Sequence, residues 1–260
     1  MKYLLDWINP LKLNLSSLSK NRSAIFFLSQ NKHLIDWHSL SQNPNANNLI
    51  INNKNKISWS LLCSNENTEN INLLINKKDL IDWNKLSANP YAIDLIKNNK
   101  NKIDWFNLSL NPHYDAIELL RNNTDKIDWN NLCLNQSYLA MDIIRDNIKK
   151  VNWYLLSSNK YAIEILLENK DKINWQTLNL NNTNEAIYLL LRENKIDWYL
   201  LSFNEYAFKL LINNKNDINY RNLSYNFNEK LLKLLMENEK LIDWKGFSQN
   251  PFIFKEKNDF

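Results

Sequence analysis

"IDWNKLSANPYAIDLIKNNKNKIDW", residues 81–105, begins and ends on the same three letters, Ile-Asp-Trp. The phrase returns along the whole chain. After Trp7, tryptophan stands at 37, 59, 83, 105, 129, 153, 175, 198 and 244, with Leu15 and Tyr220 in the two remaining slots. Successive slots are 22, 22, 24, 22, 24, 24, 22, 23, 22 and 24 residues apart, which gives ten full repeats and a truncated eleventh. A fixed period of this length is the mark of a stacked repeat architecture.

Each column of the repeat has a physical reading. The residue before the aromatic slot is Asn14, Asp36, Ser58, Asp82, Asp104, Asp128, Asn152, Asn174, Asp197, Asn219 or Asp243. All are helix N-cap types, whose side-chain oxygen satisfies a first-turn N–H. The residue before that is always Leu, Ile or Val, and the third residue after the aromatic is apolar from Leu18 to Phe247. Those two positions are N′ and N4 of one helix start, the spacing of a hydrophobic staple. Six residues after the slot stands Asn in all eleven repeats, from Asn21 to Asn250, with Pro after it at Pro44, Pro90, Pro112 and Pro251. Asn tolerates the left-handed conformation that ends helices, so the column predicts a first helix of about seven residues closed by a left-handed Asn.

A second helix follows, on the pattern of Ala92-Ile93-x-Leu95-Ile96, Ala116-Ile117-x-Leu119-Leu120 and Ala162-Ile163-x-Ile165-Leu166. Apolar residues at i, i+1, i+3 and i+4 make one buried stripe. A second Asn column, at Asn53, Asn99, Asn123, Asn169, Asn214 and Asn238, closes it. The two extra residues of the longer repeats, such as His113-Tyr114, fall before this helix and are expected to lengthen a turn. Two short helices cannot bury their faces alone, so the expectation is an all-α fold. It would be an α-solenoid of about ten to eleven 22–24-residue helix-turn-helix repeats. With layers about 8–10 Å apart, the stack would form an arc on the order of 100 Å long. One repeat domain over 1–260 is expected, with an N-terminal cap at 1–12, repeats at 13–254 and a polar tail at 255–260.

The phrase IDWxxLSxNPxAIxLLxxN resembles a short tryptophan-containing repeat found in proteins of giant, amoeba-infecting DNA viruses of the mimivirus type. The resemblance spans residues 13–254 and departs at Leu15 and Tyr220 in the Trp slot, and at Asn70 and Leu231 in the Ala slot. It implies a viral origin and carries no site residues.

Composition narrows the function classes. With Gly246 the only glycine, no phosphate-cradling glycine loop or nucleophile elbow exists, and no cofactor motif is present. His33, His38 and His113 have no ligand-spaced partners. Cys63 and Cys133 occupy a column that is Ser in most repeats and are expected as free, small substitutes for Ser rather than a disulfide. Two cysteines in 260 residues suggest an intracellular setting, which the viral resemblance narrows to the host cytoplasm or viral factory, or a place in the virion. Apolar runs such as 24–28 fall far short of the roughly 20 residues of a membrane span. No signal peptide is expected, because Asp6 interrupts the apolar start.

Charge gives two candidates and one default. Asp94, Glu118, Asp142 and Glu164 share a column and are expected to pair with Lys97, Arg121 and Arg145 three residues on. Lys12, Lys56, Lys102, Lys126, Lys150, Lys172 and Lys195 precede the aromatic slot by three and could line an edge for nucleic acid. Net charge is only +4, and solubilising lysines are the preferred reading. The first and fifth positions after the aromatic slot turn apolar in the later repeats: Phe106, Leu110, Leu134, Tyr154, Leu180, Tyr199, Phe203 and Tyr225. This ridge is the candidate docking surface for another protein, viral or host, and packing of the same residues between neighbouring first helices is the competing reading. The expected function is a non-enzymatic repeat scaffold for protein–protein interaction. A nucleic-acid-associated protein and a structural virion component are the alternatives.

Overall fold

The computed structural model describes residues 1–256 and is all-α apart from one pair of short strands, β1 (Lys2–Leu4) and β2 (Phe254–Glu256). Among the described residues there are 21 α-helices of at most nine residues, interspersed with short 3-10 turns. Contacts divide the chain into two compact parts: Met1–Asp82 with Leu210–Phe260, and Trp83–Lys209. Of the expected polar tail, Lys255 and Glu256 belong to β2, and 257–260 lie outside the described residues.

The helix-start cassette forms as its chemistry requires. Asp36 accepts from the Ser39 N–H, Asp104 from Asn107 and Asp128 from Asn131, and Asn14, Ser58, Asn152, Asn174, Asp197, Asn219 and Asp243 cap in the same way. The N4 residues from Leu18 to Phe247 are fully buried; of the N′ residues, Leu13, Ile35, Ile57, Ile127, Ile173, Ile218 and Ile242 are buried and Ile81, Ile103, Val151 and Ile196 half-buried. First helices are short, as in Trp37–Leu40 and Leu15–Lys20. The Trp rings are half-buried in every repeat that carries one.

The first Asn column behaves differently from the expectation. These residues are extended rather than left-handed: Asn43 has φ −79° and ψ 115°, and Asn135 has φ −60° and ψ 130°. Among the described residues the one positive φ outside glycine belongs to Asn194, at 52°. Each column Asn faces forward and backward at once. Its Oδ1 caps the next turn, as Asn43 does for the Asn45 N–H at 3.0 Å. Its Nδ2 donates to two backbone carbonyls of the preceding repeat, as Asn43 does to Ser19 and Asn21, both at 2.9 Å. The same pair of bonds recurs at Asn65, Asn135, Asn159, Asn181 and Asn204. An amide with two donors and an acceptor satisfies buried backbone groups that neither a left-handed cap nor an Ala could reach.

The Ser column supplies a second joint. Ser41 Oγ donates to the Trp37 carbonyl at 2.9 Å and accepts the Ser58 N–H of the next repeat at 2.8 Å. Ser87, Ser109 and Ser224 accept in the same way from Asp104, Asp128 and Asp243. Cys63 takes the place of Ser with Sγ 3.3 Å from the Asp82 nitrogen, so the two cysteines keep the joint rather than add chemistry. Burial pushes the Cys133 thiol pKa up, partly offset by the Asn152 N–H.

The second helix ends on the second Asn column, where Nδ2 donates back to the i−4 carbonyl, for example Asn99 to Leu95 at 2.8 Å and Asn147 to Ile143 at 3.0 Å. The two-residue insertions do more than lengthen a turn. Where Pro90–Ala92 makes a 3-10 turn before helix Ile93–Lys97, two of the longer repeats start an α-helix two residues before the Ala, giving Tyr114–Arg121 and Tyr138–Asp146, whereas the last long repeat keeps a 3-10 turn at Glu229–Leu231. The 23-residue spacing has its own cause. After Asn184–Arg192 the chain turns through left-handed Asn194, with Lys195 N–H bonded to Leu190 O at 2.9 Å in place of a 3-10 turn.

Within the first compact part, the first and last repeats, expected at opposite ends of an arc, are neighbours. The Asn14 N–H donates to Ser248 Oγ at 2.9 Å, and Asn21 Nδ2 donates to the carbonyls of Ser248 and Asn250 at 3.1 and 2.8 Å. These are the two joints found between consecutive repeats. β1 pairs antiparallel with β2, Tyr3 opposite Lys255, and the Leu5 N–H reaches the Ile253 carbonyl.

Candidate interaction surface

The ridge divides by position. The first-position residues Phe106, Tyr154 and Tyr199 are 56, 53 and 58 % exposed. They alternate with exposed Asn130 and Gln176 in the intervening repeats, so the aromatic file skips every other repeat. The fifth-position residues Leu110, Leu134, Leu180, Phe203 and Tyr225 are half-buried. The reason lies in the helix geometry: position one stands at the solvent side of the first turn, whereas position five follows the buried Ser column directly. Tyr225 is a packing residue. Its ring lies where a Cβ on Gly246 would sit, 2.6 Å away, and its phenol pKa is raised by burial and by Asp243. The chain's single glycine is explained by that ring.

A second aromatic file escaped the sequence reading. Tyr91, Tyr114, Tyr138 and Tyr206 are 46–61 % exposed at the start of the second helices. Tyr161, the corresponding residue of its repeat, is half-buried with Lys160 Nζ 4.9 Å from its ring centre. The signal was available: each stands eight or nine residues after an aromatic slot. All lie in Trp83–Lys209, as do Phe106, Tyr154 and Tyr199. In the first compact part the corresponding positions include Ser23, Asn45 and Thr68. A shallow depression of about 400 Å³ lies beside Tyr188, between Leu167 and Arg192.

The bases expected to pair along their own helix reach mostly to carboxylates of the next repeat. Lys97 bonds Asp115 at 2.7 Å, and Arg145 reaches Glu164 and Glu168 at 3.2 and 2.9 Å. Arg121 alone keeps the expected i,i+3 partner, Glu118, at 3.3 Å, and also approaches Asp142 at 3.9 Å. The longer reach wins because stacking presents the next helix's carboxylate directly. The Lys97 ammonium holds the Asp115 carboxyl below the usual range.

The lysine edge is engaged with its own repeats. Lys56, Lys126 and Lys150 place Nζ 5.0, 4.6 and 4.5 Å from the ring centres of Trp37, Trp105 and Trp129, each the Trp that opens the repeat its lysine closes. Lys12 stands 5.4 Å from Trp244. Such cation–π contacts are worth about 0.5–1 kcal/mol at exposed sites. Lys172 pairs with Asp171 at 3.0 Å.

Among the described residues, no three His, Cys, Asp or Glu side chains converge as a metal site, and no helix is long and apolar enough to cross a membrane. Compared with known proteins, the chain matches no family model, no curated protein and no solved structure.

Proposed function

We propose that the repeats stack as an α-solenoid of about ten to eleven helix-turn-helix units and that the stack is a non-enzymatic scaffold that binds another protein. The Asn and Ser joints support the stacking, because each repeat satisfies its buried backbone through its neighbour, as a solenoid requires. The observation that carries the binding role is the set of exposed aromatics confined to Trp83–Lys209: Phe106, Tyr154 and Tyr199 on first helices, Tyr91, Tyr114, Tyr138 and Tyr206 on second. Tyr and Phe supply large contact area at low entropy cost and commonly dominate interface energies. The partner is a viral or host protein, in host cytoplasm, viral factory or virion, if the repeat's resemblance reflects a giant-virus origin.

Nucleic acid is the weaker partner, since four of the edge lysines already sit over tryptophan rings. A pull-down from infected cells with and without nuclease tests the reading. Partners that survive nuclease and are lost with Phe106→Ser and Tyr154→Ser support it. Loss of every partner with nuclease overturns it.

A further inference from the structure

We propose that the seam between the last and first repeats is a releasable clasp whose two faces fit a second copy of this chain. The inference rests on the contacts within the first compact part and is independent of the partner reading above.

Consecutive repeats are tied by the chain itself as well as by their Asn and Ser joints. At the seam only non-covalent contacts act. The last repeat offers Ser248 Oγ, the carbonyls of Ser248 and Asn250, and the Trp244 ring. The first repeat answers with the Asn14 N–H, Asn21 Nδ2 and the Lys12 ammonium, which also bonds Glu239 at 2.8 Å. Every group on one face has its complement on the other. A second copy therefore presents to each face the same partner that the chain's own far end presents.

The terminal segments add a fastening that no other joint has. β1 and β2 pair over three residues each. Trp7 meets Phe247 in a tilted contact at 5.7 Å, Phe27 meets Phe254 likewise at 5.8 Å, and Tyr3 lies edge-on to Phe26 at 5.2 Å. The strand pair itself lies outside the repeat helices, so parting it breaks none of their own hydrogen bonds. Linkage within one chain gives the closed form the advantage of effective concentration. That advantage is lost when protein is refolded crowded or when the fastening is weakened, and exchange of identical elements then joins copies.

The test uses the full chain with Cys63→Ser and Cys133→Ser, the residue native to that column, and adds Tyr3→Cys and Lys255→Cys at the directly paired strand positions. Paired Cα atoms across an antiparallel pair lie about 4.5–5.5 Å apart, within disulfide reach. Oxidation after dilute refolding should give an internal crosslink, and after concentrated refolding disulfide-linked dimers and larger species on a non-reducing gel. In a separate chain, Tyr3→Pro should shift the mass measured by light scattering from monomer to dimer and above at concentrations where the native chain is monomeric. Internal crosslinks alone at every concentration overturn the second-copy fit. Absence of any crosslink overturns the seam itself. Should Tyr3→Pro fail to fold, the cysteine pair decides alone.

Discussion

Asn21 donates its side-chain amide to the backbone carbonyl of Asn250, 229 positions further along the chain, at 2.8 Å. Asn43 makes the same bond to Asn21, only 22 positions back. One chemical rule thus joins neighbours in sequence and the two ends of the sequence alike. Each Asn replaces the water that the turn's carbonyls lose on burial.

Asn135 tests that rule inside Trp83–Lys209. It is fully buried and holds the carbonyls of Ser109 and Asn111 at 2.8 and 3.1 Å while capping the Ser137 N–H. Asn135→Ala leaves these groups without partners and should cost about 3–5 kcal/mol. Urea unfolding followed by circular dichroism measures it. A midpoint within error of the native chain would show that the column is not structural.

Trp105 is half-buried beneath Lys126 Nζ, 4.6 Å from its ring centre. Because only part of the ring is withdrawn from water, Trp105→Ala should cost about 2–3 kcal/mol, less than the 3–5 kcal/mol of a fully buried aromatic. The same unfolding assay reads it.

The exposed aromatics should separate binding from stability. Phe106→Ser and Tyr154→Ser remove rings more than half exposed and should change stability by no more than about 0.5 kcal/mol. Phe203→Ser, at a half-buried site, should cost about 1–2 kcal/mol. A large loss for Phe106→Ser would place that ring in the core.

Gly246→Ala would normally gain about 1 kcal/mol in a helix. Here the new Cβ meets the Tyr225 ring at 2.6 Å, so the change should destabilise instead. Tyr225→Ser in the same chain should recover most of the loss. Additive effects in the double-mutant cycle would show that the two positions do not touch.

Much of this fold was legible because its grammar is local. Asp104 as a cap, Ile103 and Leu108 as a staple and the stripe from Ala116 to Leu120 depend only on residues within one repeat. The first Asn column was misread because its acceptors lie one repeat back, and a single repeat offers no sign of them. The salt bridges went astray for the same reason: Lys97 chooses Asp115 over Asp94 only once helices are stacked. The seam was invisible because Asn14 and Asn21 find their partners Ser248 and Asn250 more than 220 positions away, and no local pattern marks them. The second tyrosine file was legible by column and was overlooked because its repeats differ in length ahead of it.

The neighbouring positions of the first and last repeats are tested most directly by a distance. Lys20 and Lys245 are exposed, Lys20 on helix Leu15–Lys20 and Lys245 on Trp244–Phe247. With both changed to Cys in the Cys63→Ser, Cys133→Ser chain, spin labels there report the separation of the two repeats by pulsed electron resonance. Adjacent helices about 8–10 Å apart, plus the reach of the labels, predict a distribution centred at about 20–30 Å in dilute, monomeric protein. A separation approaching the order of 100 Å expected of an open arc would contradict the account.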